Sequence, residues 1–377
     1  MELGRDVGEP TYDIAVLKGD GIGPDVVDEA LRVLEAATGG GGPRLRFAEH
    51  PLGADCYLDC GSPLPEDTVE ACRRADAALL GAAGRPDVRW PDGTEMRPQV
   101  DLRLQLDLYA GVRPIYLYAA GHTPLKGLGP GDIDFVILRE NVEGLFASMN
   151  GGIELRGEVA VDSMVITRSG TERVTRYAFE LARQRAAARE EESRGDGARA
   201  PLVTCVDKAN IFKSMAFFRG IFDRVGADYA EIEREHAYID AMALYLVQRP
   251  GQYDVVVTEN MYGDILSDLA AGLVGGMGMA PSGDIGEEAG VFQPSHGSAP
   301  DIAGQGVANP VATVLSAAMM LDWLGERCGD AAAVAAAGRI NAAVRAVLSE
   351  PGAGTPDLGG AMTTSELGAA LAAAARP

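Results

Sequence analysis

The sequence predicts an α/β protein with a mainly parallel sheet, and three observations carry that reading. Short apolar runs alternate with amphipathic helical stretches along the chain. Hydrophobic residues make up 47% of the 377 residues, enough to close a large core. The first apolar run, residues 12–17, passes through a glycine-rich loop directly into a helical pattern.

Each element has its own signal. Residues 12–17 (Tyr-Asp-Ile-Ala-Val-Leu) read as a strand, and residues 18–24 (Lys-Gly-Asp-Gly-Ile-Gly-Pro) as a tight loop. A helix over 25–37 follows, with Val26, Val27, Ala30, Leu31 and Leu34 at helical spacing. Pro24 suits a first helical turn. The loop lacks the G-x-G-x-x-G spacing of a dinucleotide fingerprint. It reads equally as a plain strand–helix turn or as a backbone lip beside a ligand. Glycines 39–42 form a turn. Residues 77–80, 134–138 and 202–206 are buried-strand candidates. Residues 171–199 read as a charged helix with Val174, Tyr177, Ala178 and Leu181 inward. Its end, 189–197, has no apolar stripe and reads as a solvated loop. Residues 253–258 form a strand leading into a helix with Ile265, Leu266 and Leu269 on its apolar side. From Ala331 the chain is alanine-rich helix, interrupted near Pro351 and Pro356.

Composition narrows the function classes. A formal net charge of −22 argues against nucleic acid and anionic membrane as main partners. An anionic substrate would need a local cluster of arginines. The five cysteines are odd in number and form no C-x-x-C pair, which fits a reducing, cytoplasmic setting. No apolar run reaches the ~20 residues of a membrane span.

The most informative stretch is residues 259–272. Asp264 and Asp268 are four apart, so on a helix both carboxylates leave one face. Such a pair offers hard oxygen donors to a cation like Mg²⁺, or simply makes a solvated surface. Arg103, Arg113 and Arg139 flank strand-like or apolar segments, where guanidinium forks can bind carboxylates bidentately. Lys208 follows a strand reading beside Asp207 and Asn210. It is placed for proton transfer if burial lowers its pKa, and otherwise is a surface lysine. His296 lies in a turn-rich polar loop, where it contacts a nucleoside or caps a turn.

Taken together, these segments resemble the β-decarboxylating dehydrogenases: the isopropylmalate, isocitrate, homoisocitrate and tartrate/D-malate dehydrogenases. The resemblance spans nearly the whole chain and rests on residues 19–24, 102–103, 107–114, 139–144, 207–210, 238–242, 260–268 and 296–310. It implies a two-lobed isopropylmalate dehydrogenase-like fold with the active site in the interdomain cleft. Residues 1–112 and 276–377 would form a large cofactor-side domain, and 113–275 a small dimerisation and substrate domain. It implies a homodimer with shared sites acting on a small 2-hydroxy di- or tricarboxylate. Arg103, Arg113 and Arg139 would bind substrate carboxylates. Asp264 and Asp268 would hold Mg²⁺ or Mn²⁺, joined by Asp240 from the partner, and Lys208, also from the partner, would take the hydroxyl proton. Ile22, His296, Gly297, Ser298, Ala299, Asp301 and Asn309 would contact the cofactor. Asp301 implies NAD, since a carboxylate repels the 2′-phosphate of NADP.

Two departures from the family pattern stand out. Phe146 occupies the position of the usual tyrosine that protonates the enol carbon, and phenylalanine has no proton to give. The segment that reads the substrate's distal group contains Met96 and Val100, which suit an isopropyl group, but also Arg97 and Gln99, which suit a polar one. 3-Isopropylmalate is the default substrate, with tartrate/D-malate, homoisocitrate or another polar 3-substituted malate as alternatives. A regulatory subunit without turnover is the non-enzyme alternative.

Overall fold

Parallel strands buried on both faces dominate the computed structural model, which describes residues 10–149, 151–193 and 199–377. In the first half of the chain the elements are β1 (Thr11–Gly19), α1 (Gly23–Thr38), β2 (Arg44–Glu49), α2 (Ala54–Cys60), α3 (Glu66–Arg74), β3 (Ala77–Ala82), α4 (Pro98–Gln105), β4 (Ala110–Tyr116), β5 (Asp134–Glu140), β6 (Ile153–Leu155), β7 (Val159–Val161) and α5 (Arg168–Ser193). There follow β8 (Leu202–Asp207), α6 (Lys213–Gly226), β9 (Glu233–Tyr238), α7 (Ile239–Gln248), β10 (Val255–Thr258), α8 (Asn260–Ala271), β11 (Pro281–Ile285), β12 (Gly290–Pro294), α9 (Val311–Cys328), α10 (Ala331–Leu348) and α11 (Thr364–Ala374).

The chain divides into two compact units. The first holds the described residues to Leu106, Gly276–Gly283 and Glu287–Pro377; the second holds Asp107–Gly275 and Asp284–Gly286. A sequence boundary at 112/113 would cut β4. The whole strand lies in the second unit, because residues 110–116 pair antiparallel with β5 along their full length.

In the first unit the strands run in the order β2-β1-β3-β12, all parallel. The centre of the register sets Val16 opposite Leu79. Both are fully buried, which explains why these strands read as unbroken apolar runs. Helices α1, α9, α10 and α11 pack on one another around Val26, Leu34, Val314, Leu321, Ile340 and Leu371. Helix α10 is long and apolar enough by composition to cross a membrane, but its buried face, including Ile340 and Val344, packs against α9 and α11. Caps fix the helix starts. The Asp330 carboxylate accepts from the amides of Ala332 and Ala333 in α10, and Thr363 and Glu366 form a capping box on α11.

In the second unit the order is β4-β5-β10-β8-β9, parallel except for β4 on β5. Its core joins Phe135 and Ile137 of β5, Val256 of β10, Met242 and Leu246 of α7, and Leu266 and Ala270 of α8. Two expectations need correction. Helix α5 continues through residue 193, and Arg189 is no solvated loop residue: it donates two hydrogen bonds to the buried Asp254, each 2.8 Å. Residues 194–198 of that expected loop lie outside the described residues. On α8, Leu266 is buried as expected, but Ile265 is 56% exposed.

Candidate active site

The second unit gathers four of the expected site residues around α8: Asp264 and Asp268 on the helix, with Arg113 and Arg139 against them. The helix starts firmly, because Glu259 caps it with bonds from the amides of Met261 (3.1 Å) and Tyr262 (2.7 Å). Asp264 and Asp268 then project from one face. Arg139, at the end of β5, is only 2% exposed. It donates to Asn260 Oδ1 through Nε (2.9 Å) and Nη2 (2.6 Å), and to the Asp264 carboxylate through Nη1. Arg113 of β4 donates to Ser267 Oγ at 2.5 Å and lies 3.4 Å from Asp264 and 3.8 Å from Asp268. Burial pushes the Asp268 carboxyl above its ordinary range, with the charge of Arg113 opposing it. Gly263 is required where α8 meets β5: a Cβ there would lie 2.7 Å from the Arg139 side chain. Phe146, on the short turn Leu145–Ser148, sets its ring centroid 5.0 Å from the Arg139 guanidinium carbon.

A second grouping in the same unit centres on Lys208, just past β8. Its ammonium pairs with Asp240, in the first turn of α7. That bond holds the Asp240 carboxyl below its usual range. The neighbouring Asp207 is fully buried and takes a fork of two bonds from Arg219, at 2.7 and 2.8 Å, which fixes the turn carrying Lys208. Among the described residues, no three His, Cys, Asp or Glu side chains meet in a group that could hold a metal ion. Asp240 therefore does not join Asp264 and Asp268 within one chain.

In the first unit the glycine loop lays its backbone against the segment carrying Ser298. The Ile22 amide donates to the Ser298 carbonyl at 2.8 Å. Gly21, at φ +58°, comes so close that a Cβ would lie 2.0 Å from the same oxygen. Asp20 is fully buried and accepts from the amides of Gly84 (2.7 Å), Ala54 (2.8 Å) and Asp55 (3.0 Å). Ile22 packs with Val26 and Ala308 beside Ala299 and Ile302. Ser298 donates to the Gly84 carbonyl. His296 holds Nδ1 2.9 Å from the Gly297 carbonyl, while its Nε2 is buried with no partner, and burial lowers its pKa. Asp301 is exposed, and Asn309 is fixed by Asp357 at 3.0 Å. Arg103 is buried on α4 in this unit.

Sequence reasoning gave no role to Ser267, Asn260 or Asp20. The only sequence signal for the first two was their place beside the acid pair.

The profile of the isocitrate/isopropylmalate dehydrogenase family matches residues 13–371. The chain belongs to that family. It is 43% identical over 357 residues to the 3-isopropylmalate/3-methylmalate dehydrogenase of Methanocaldococcus jannaschii, covering 94% of this chain and 96% of that protein. It is 42% identical to the isocitrate/homoisocitrate dehydrogenase of Thermus thermophilus, covering 94% and 95%. Among solved structures it resembles the isocitrate dehydrogenase of Methylococcus capsulatus, with a TM-score of 0.82 at 35% identity over 97% of this chain and all of that one. A β-decarboxylating dehydrogenase from Thermococcus kodakarensis superposes with a TM-score of 0.76 at 39% identity, covering 97% and 96%. The protein is thus a decarboxylating dehydrogenase, an oxidoreductase acting on CH–OH groups. The family uses NAD(P) with Mg²⁺ or Mn²⁺ and acts on small hydroxy acids.

Proposed function

We propose that the chain oxidises a 3-substituted malate at C2 with NAD and a divalent cation, and that the 2-oxo acid then loses its β-carboxylate. 3-Isopropylmalate is the first substrate to test, since relatives at about 43% identity carry that name. The observation that carries this reading is the convergence of buried Arg113 and Arg139 on Asp264 and Asp268.

The donor set fits the family's metal. Asp264 and Asp268 offer hard oxygens from one helix face, and Asp240 of a second copy would complete the set. The bound cation supplies Lewis acidity to the substrate oxygens. Were Asp264 to ligate that cation, Arg113 and Arg139 would be released from its carboxylate and able to bind those of the substrate. Lys208 takes the proton from the C2 hydroxyl. Phe146 has none to return to the enol carbon, so that step falls to water or another residue.

The cofactor loop fits a nucleotide, because the buried Nε2 of His296 awaits a partner. The exposed carboxylate of Asp301 would accept from ribose hydroxyls and repel a 2′-phosphate, which favours NAD. On this reading the first unit serves the cofactor and the second serves substrate binding and pairing.

Pairing with a second copy is supported by apolar surface on the second unit. The β6–β7 ribbon sets Ile153 opposite Val161 and Leu155 opposite Val159, all exposed. A two-stranded ribbon is marginal alone. Leu244, Val247 and Ile265 add exposed apolar side chains on α7 and α8.

The test is NADH formation with Mg²⁺ or Mn²⁺ across a panel of 2-hydroxy acids. No reduction with any member would refute the reading. Mixing the separately inactive Lys208→Ala and Asp264→Ala variants should restore part of the activity. A mixture as inactive as its components would refute the shared site.

A further inference from the structure

Helix α8 carries two neutral polar side chains besides its acid pair. Asn260 opens the helix and Ser267 lies two turns on, so with Asp264 between them the three share one face. Both neutral residues are buried, and each accepts from one of the two buried arginines.

Asn260 Oδ1 takes two N–H groups of Arg139, 2.9 Å from Nε and 2.6 Å from Nη2. The amide is held against turning over, because its Nδ2 donates to the Glu143 carbonyl at 3.0 Å. Glu143 is fixed in turn. Its amide donates to Glu140 at 2.7 Å, and its carboxylate accepts from the Thr167 amide at 2.8 Å. The Arg139 fork is thus gripped along one edge, with Nη1 on the side where Asp264 stands. Ser267 plays the same part for Arg113. Its hydroxyl proton goes to the Asp264 carbonyl at 2.9 Å, so a lone pair faces Arg113 Nη1 at 2.5 Å.

Charge is what separates these two acceptors from Asp264. A carboxylate in either place would grip the guanidinium harder but cancel the charge that draws an anionic substrate. A neutral acceptor fixes direction and leaves the charge. It also keeps N–H groups of a buried guanidinium paired if the carboxylate partner is drawn off, which avoids a large desolvation cost.

We infer that Asn260 and Ser267 are positioning residues for the oxidation: neutral clamps that aim Arg139 and Arg113 at substrate carboxylates independently of Asp264. The inference rests on the reading of both arginines as substrate ligands.

The test compares Ser267→Ala and Asn260→Asp with wild type, using NAD, Mn²⁺ and the panel hydroxy acid that wild type turns over best. Ser267→Ala should raise KM for the hydroxy acid about 10-fold or more, the worth of one hydrogen bond to a charged group, and leave KM for NAD within about two-fold. Calorimetric titration of the same acid, with Mn²⁺ and without NAD, should show its Kd weakened by a similar factor. The Kd for Mn²⁺ alone should stay within about two-fold of wild type. Asn260→Asp keeps the size and the acceptor but adds a charge, and should also raise the hydroxy-acid KM about 10-fold or more. Should Ser267→Ala not fold, Ser267→Cys keeps the shape with a weaker acceptor and carries the same expectation.

A fall in kcat or in the folded fraction, with KM and Kd for the hydroxy acid unchanged, would reduce both residues to packing. That result overturns the inference and leaves the dehydrogenase reading intact. Equal losses of affinity for the hydroxy acid and NAD, or weakened binding of Mn²⁺ alone by Ser267→Ala, overturn it as well. So does an Asn260→Asp variant that binds the acid as tightly as wild type, since charge at that position would then be immaterial. Turnover of no panel member refutes the dehydrogenase reading itself, and the inference falls with it.

Discussion

The Arg139 guanidinium stands against the Phe146 ring, 5.0 Å from carbon to centroid, so one aromatic side chain steadies a buried cation; on the proposed function it also stands where a proton donor would serve the enol. Phe146→Tyr keeps the ring and adds a phenol. It should raise the ratio of decarboxylated to undecarboxylated product, read by chromatography of the 2-oxo acids. An unchanged ratio would remove this position from the proton's path. Phe146→Ala should instead raise KM for the hydroxy acid about 2- to 30-fold, the worth of a cation–π contact of about 0.5–2 kcal/mol.

Glu140 follows Arg139 and is 1% exposed. Burial pushes its carboxyl up to about 7, although the amides of Val142 and Glu143 bond to it. A carboxyl raised in the folded state binds more protons folded than unfolded, so its contribution falls as pH rises from the unfolded value toward 7. The cost at neutral pH is of order 3 kcal/mol. Glu140→Gln should therefore gain stability relative to wild type between pH 5 and pH 7 in urea titrations. A constant difference across that window would show that Glu140 titrates normally.

Asp301 should decide the nucleotide. Asp301→Lys with Ile302→Tyr replaces a repelling charge by a donor for the 2′-phosphate. One charge-assisted bond is worth roughly 1.5–3 kcal/mol, so kcat/KM for NADP should rise about 10-fold or more. Equal kinetics in the variant and wild type would place the 2′-position elsewhere.

The thiols should separate by accessibility. Cys60 and Cys328 are exposed, while Cys56, Cys72 and Cys205 are buried. Burial pushes Cys72 up to about 12 and, with the neighbouring Cys60, Cys56 to about 11; Cys205 is also raised. A disulfide reagent at pH 8 should titrate two thiols quickly in the native protein and five in denaturant. Fast reaction of a third would mean that α2, α3 or β8 opens locally.

Strands such as β5 and β10 were legible because burial on both faces leaves an unbroken apolar run. The Asp264/Asp268 pair was legible because helical spacing alone puts the two on one face. What local pattern cannot carry is contact at long sequence separation. Asn260 meets Arg139 across 121 residues, and Ser267 meets Arg113 across 154. Ile265 was misplaced for a related reason. Its apolarity suits a covering surface as well as a core, and periodicity does not distinguish the two. Arg189 was misread because its partner, Asp254, is supplied by the start of another strand.

Asp20 has a consequence for the timing of folding. Its single carboxylate draws in amides 34, 35 and 64 residues away, from α2 and from the segment after β3. Closing those loops costs chain entropy before any of the three bonds repays it. The lip beside Ser298 is thus expected to set last, after the strands around it are in register. Interactions that form after the rate-limiting step slow unfolding without speeding folding. Asp20 would then act as a latch, lengthening the lifetime of the assembled loop more than it hastens its arrival.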